Sequence, residues 1–130
     1  MIAWSDAPES APQSRFRLLL VDGDPEARTA LRHGLAERFD VVEASNATDA
    51  LALIDVRWFS IVLTAYELGD RDGVWLLEQV RERQPLARRV LMSKRGVPNV
   101  RGLRDAGVIE LFVAKPVKPE TFSAYFKGSA

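Results

Sequence analysis

The chain has no cysteine, which excludes disulfide bonds, thiol nucleophiles and thiolate metal sites at once. It has a single histidine, His33, set between Arg32 and Gly34 in a helical pattern. A surface position is expected for it, with no catalytic role. No apolar run approaches the roughly 20 residues that cross a bilayer, and the first residues lack the basic-then-apolar order of a secretory signal. No repeat or low-complexity block is present within the domain. These absences point to a soluble, cytoplasmic protein that does not engage a membrane.

What is there is ordinary in amount and uneven in layout. The 130 residues suffice for one core, and 47% hydrophobic with 28% charged content suits a globular domain. The 18 basic residues balance the 18 acidic ones, yet residues 81–104 hold eight Lys/Arg against one acid. A solvated helix face is the commoner meaning of such a run, and an acidic partner surface or nucleic acid the rarer one.

Residues 1–14, "MIAWSDAPESAPQS", show no periodicity and read as a flexible tail with Trp4 as its one sticky side chain; the domain occupies 15–130. From there apolar runs and helical stripes alternate. "FRLLLV" reads as a buried strand, and "PEARTALRHGLAERF" as a helix with Ala27, Ala30, Leu31, Gly34 and Leu35 on one face. Asp24 before Pro25 is a helix start, the carboxylate accepting orphan amide protons and the proline fitting the first turn. "DVVEA", "FSIVLTA", "RRVLMS" and "VIELFVA" are the next four strands. Between them lie the second helix, "NATDALALIDV", then a third helix that Asp72 caps and that stops before Pro85, and a fourth, "PNVRGLRDAG", closed by Gly107; "PETFSAYF" opens a fifth helix that looks short. Trp58 and Trp75 are expected to pack against neighbouring apolar elements.

This alternation implies an α/β fold: a doubly wound, five-stranded parallel sheet with helices on both faces. The alternating "IELFV" marks strand five as an edge. In such sheets function gathers at the carboxyl ends of the strands. Those ends carry Asp22 and Asp24 after strand one, Ala65, Tyr66 and Glu67 after strand three, Ser93 after strand four, and Lys115 and Pro116 after strand five.

These residues, with the "AYELGDRDG" loop and a lysine-proline pair about fifty residues beyond Ala65, make residues 16–126 resemble the receiver domain of bacterial two-component response regulators. The resemblance implies a flavodoxin-like sheet ordered 2-1-3-4-5. It implies that Asp22 and Gly23 stand where two acids hold magnesium, Ala65 where an aspartate accepts a phosphoryl group, and Ser93 where a hydroxyl grips that group. It also places Phe112 at the switch aromatic and Lys115–Pro116 at the lysine and cis peptide. A methyl group can neither attack phosphorus nor bind a metal, so a degenerate receiver is expected, one with no catalytic residue at position 65. With Gly23 and Ala65 in place, two of three carboxylates are missing; Asp22 and Lys115 can neutralise each other, and no metal or other cofactor is required.

Several roles stay open. Asp24 caps a helix or supplies a metal oxygen; Glu67 and Asp70 are solvated or supply stray oxygens, so residual binding would rest on Asp22, Asp24 and Glu67. Ser93 and Lys115 serve the local structure or a retained switch, and Phe112 covers an edge strand or faces a partner. The expected function is a phosphorylation-independent interaction module in signalling, not an enzyme. Its partner is a signalling protein met through helix four, strand five and helix five with Arg95, Arg101 and Arg104, or a second copy as a homodimer. The alternatives are a small aspartyl-phosphate phosphohydrolase using Asp22 and Asp24, and a nucleic-acid-binding accessory domain, which the lack of a recognition motif disfavours.

Overall fold

The computed structural model describes residues 16–126. Ten elements alternate without exception: β1 (Phe16–Val21), α1 (Pro25–Leu35), β2 (Phe39–Ala44), α2 (Ala47–Ile54), β3 (Ile61–Ala65), α3 (Gly73–Arg83), β4 (Arg88–Ser93), α4 (Val100–Asp105), β5 (Leu111–Ala114) and α5 (Pro119–Tyr125). The tail at 1–14 with its Trp4, Arg15, and the extent of the last helix past residue 126 lie outside the described residues.

The strands form one parallel sheet in the order β2-β1-β3-β4-β5. Crossovers between parallel strands are right-handed, so α1, which carries the chain outward from β1 to β2, lies on the face opposite α2, α3 and α4, which carry it the other way. The helix contacts agree: α1 packs with α5, and α2 with α3. Covered on both sides, β1 and β3 bury Leu18, Leu19, Leu20, Val21, Ile61, Val62 and Leu63 completely. Each such side chain contributes roughly 1.5–3 kcal/mol relative to exposure. β5 lies at the edge and stays half-buried, as its alternation indicated.

Several boundaries differ from the sequence reading, and at α1, β3 and β5 the contacts show why. α1 stops at Leu35 instead of running to Phe39; the Arg38 amide turns back to the Leu35 carbonyl, and Phe39 opens β2 in register with Phe16, its ring edge-on to Phe122. Ala30, assigned to the inward stripe, is exposed. β3 begins at Ile61, because the Phe59 amide donates to the Gln84 side chain, 2.9 Å away. β5 begins at Leu111, because the amides of Val108 and Ile109 close α4 by donating to the Leu103 carbonyl. Trp58 also departs from expectation: it is 76% exposed and packs in no core, whereas Trp75 is half-buried beneath the Arg71 guanidinium.

Candidate functional site

The strand order reverses beside β1, since the chain runs from β1 to β2 on one side and returns to β3 on the other. A crevice of about 650 Å³ opens there at the carboxyl edge, bordered by Asp22, Gly23, Asp24, Ala65, Ser93 and Lys115 among others. β1 ends on fully buried Val21, and the Asp22 amide extends the ladder to the Ala44 carbonyl, which fixes the carboxylate at the mouth of the strand.

Asp22 is only 3% exposed, and both its oxygens are engaged. Oδ1 accepts from the Asp24 amide at 3.0 Å, and Oδ2 from Lys115 Nζ at 2.8 Å. The Lys115 amide donates to the Ser93 carbonyl, and the peptide linking Lys115 to Pro116 is cis. Ser93 Oγ accepts from the Arg95 amide at 3.2 Å, a bond that shapes the loop after β4. Arg28 reaches the Asp22 carbonyl from α1. Ala65 closes β3 beside Met92, 3% exposed, and is among the residues that border the crevice.

Asp24 caps α1, Oδ1 accepting from the amides of Glu26 and Ala27. A hard divalent cation needs several free oxygen ligands, and here Asp22 is paired, Asp24 is committed to its helix, and Gly23 and Ala65 offer none. Among the described residues no group of three or more His, Asp or Glu side chains is arranged to hold a metal. Asp22 and Asp24 thus keep their oxygens for the fold, and Glu67 borders the crevice as an exposed carboxylate.

Elsewhere the sequence-derived positions divide. Phe112 stands on β5 opposite Leu91, half-buried and away from the crevice. His33 is exposed. Arg95, Arg101 and Arg104 are exposed, as is Lys94. Arg88 instead makes a two-pronged pair with Glu110 and lies over the Phe126 ring. Arg89 turns inward and donates to the carbonyls of Pro85, Ala87, Gly107 and Val108. Burial, with Arg81 nearby, pushes its guanidinium pKa down.

Two functional groups escape the sequence reading. Asp70, expected to be solvated, clamps the start of α2: its carboxylate accepts from the amides of Ala47 and Thr48, the Thr48 hydroxyl and the Arg71 amide, at 2.8–3.0 Å. Partial burial pushes its pKa up, but these four donors outweigh that and hold it well below the ordinary carboxylate value. Gln84, buried, bridges the Ile54 and Arg57 carbonyls to the Phe59 amide. Neither had a local signal, because the α2 partners of Asp70 and all three partners of Gln84 lie more than twenty residues away.

The model of the response regulator receiver domain family matches residues 18–127. The chain belongs to that family. Among curated proteins this receiver is similar to the hydrogenase transcriptional regulatory protein HoxA of Cupriavidus necator, 32% identical over 107 residues, covering 79% of this chain and 22% of that protein. HoxA of Bradyrhizobium diazoefficiens is 31% identical over 105 residues, covering 79% and 21%. The chain thus spans about a fifth of the length of these relatives. Among solved structures, a CheY-like receiver domain protein from Methanospirillum hungatei JF-1 superposes with a TM-score of 0.81 at 23% identity, covering 88% of this chain and 93% of that one, a likeness of fold. Receiver domains of this kind belong to response regulators, and the curated relatives are transcriptional regulators.

Proposed function

We propose that this receiver signals without accepting a phosphoryl group, as a protein-interaction module whose output is set by binding alone. The observation that carries the reading is that β3 ends on Ala65, bordering a crevice in which the buried carboxylate, Asp22, is already paired with Lys115. No lone pair stands where an attack on phosphorus would begin. The phosphohydrolase alternative loses ground on the same geometry, since Asp22 is held by two donors and Asp24 by its helix. The nucleic-acid alternative is weakened because Arg88 and Arg89 are spent within the fold. The surface of α4, β5 and α5, with Arg95, Arg101 and Arg104, meets an acidic face of a signalling protein; a symmetric pair of receivers is the other outcome a sizing experiment distinguishes. Incubation with magnesium and acetyl phosphate, followed by intact-mass measurement, is expected to leave the mass unchanged. A phosphoryl adduct refutes the reading.

A further inference from the structure

The opposite end of the sheet carries an apolar groove that the crevice chemistry does not use. Phe16 at the start of β1, Phe59 before β3, and Pro85, Leu86 and Ala87 before β4 border about 690 Å³ of open space, with Trp58 on the rim. Three of the four large hydrophobic side chains exposed among the described residues gather at this end. Leu86 is 94% exposed, Trp58 76%, and Val56, in the adjoining hollow, 75%. An apolar cluster of this kind at one end of a small domain marks a binding surface.

The sequence supplies an occupant. The chain enters the domain at Phe16, which is itself part of the groove wall. Twelve residues upstream stands Trp4, in a segment whose only large apolar residues are Met1, Ile2 and Trp4. Twelve residues reach at most about 40 Å when extended. Trp4 is therefore confined near the groove at an effective concentration of roughly millimolar, so weak intrinsic affinity suffices for docking. We propose that the groove is the docking site of the chain's own N-terminal segment, anchored by Trp4 beside Trp58 and Leu86. Docking covers an apolar face, and releasing the segment exposes that face, independently of anything at the crevice.

The indole N–H resonances of the full chain test this. Trp4→Ala is expected to move the Trp58 resonance while leaving that of Trp75, on α3, in place, which also reports that the fold is intact. Leu86→Lys, at an exposed position, is expected to move the Trp58 and Trp4 resonances in the same sample. A peptide of residues 1–14 added to the Trp4→Ala chain should return Trp58 to its original position, and the same peptide with Trp4→Ala should need at least tenfold more. Trp58 unmoved by both substitutions, or a peptide without effect, overturns the proposal. So does a Trp58 shift that grows with protein concentration alongside a doubled mass in light scattering, which assigns the groove to a second copy.

Discussion

Asp22 and Lys115 stand 93 residues apart in the chain, and among the described residues their 2.8 Å contact is the one ion pair in which both side chains are largely buried. Removing one member of such a pair strands a charge in a poor solvent, at a cost of about 3–5 kcal/mol, whereas replacing both with neutral groups is close to neutral. Lys115→Met is therefore expected to lower unfolding free energy by about 3 kcal/mol, the Asp24 amide being the partner left to the carboxylate. Asp22→Asn combined with Lys115→Met is expected to recover most of that loss. Urea unfolding of the single and double variants measures the coupling. If Lys115→Met costs under about 1 kcal/mol, the pair does not hold β1 to the loop after β5. The surface pairs need no such test, since Arg17 with Asp40 or Arg83 with Asp55 is well exposed and worth at most about 1 kcal/mol.

At the scale of elements, the start of two helices decides how the crevice is framed. α3 begins on Gly73, whose amide donates to the Tyr66 carbonyl at 2.7 Å and whose missing side chain lets the Ala65 carbonyl approach. A methyl there overlaps that carbonyl and presses on Leu91. Gly73→Ala is expected to destabilise the domain by about 1–3 kcal/mol, read as a lowered urea midpoint with unchanged slope. α2 is held by Asp70 across the sheet end, with Asn46 as its own cap. Because the Asp70 pKa is lowered on folding, its stabilising effect is fully present above the unfolded value near 4 and is lost as pH falls from there toward the depressed folded value. Asp70→Ala is expected to cost about 1 kcal/mol at pH 7, and the gap from the parent chain should shrink as pH drops below about 4. A gap that is constant from pH 7 to pH 3 contradicts the clamp. The elements legible in the sequence were those whose limits are local: β1 and β4 coincide with their apolar runs, and the Asp24 and Asp72 caps lie where a carboxylate precedes a helical stripe. Phe39 and Phe59 were misassigned because apolar character fits a helix, a strand or a loop equally. Their places are set by Phe16 and Gln84, which no window around them contains.

For the whole molecule, alternation and handedness gave a parallel sheet with helices on both faces, the receiver resemblance gave its order, and with that order came the crevice, since a five-stranded sheet wound this way opens beside its first strand. What alternation could not supply was the state of each carboxylate there, which depends on donors arriving from other parts of the chain. The frame itself can be tested apart from its present side chains. Gly23 has room for a side chain, since a Cβ there would meet only the Ser45 carbonyl oxygen, at 3.4 Å, and Ala65 already borders the crevice. Adding Gly23→Asp and Ala65→Asp would place two further carboxylates beside Asp22, giving three acids against Lys115, a like-charge cluster that a divalent cation relieves. The double variant is expected to bind magnesium by titration calorimetry and to gain thermal stability with added magnesium, while the parent chain shows neither change. Since binding stabilises only the folded form, the gain should grow with the logarithm of the ion concentration once the site is saturated. A double variant that folds but takes up no magnesium means that positions 23 and 65 do not converge on Asp22 as the strand ends require, and the receiver reading of the crevice then fails with it.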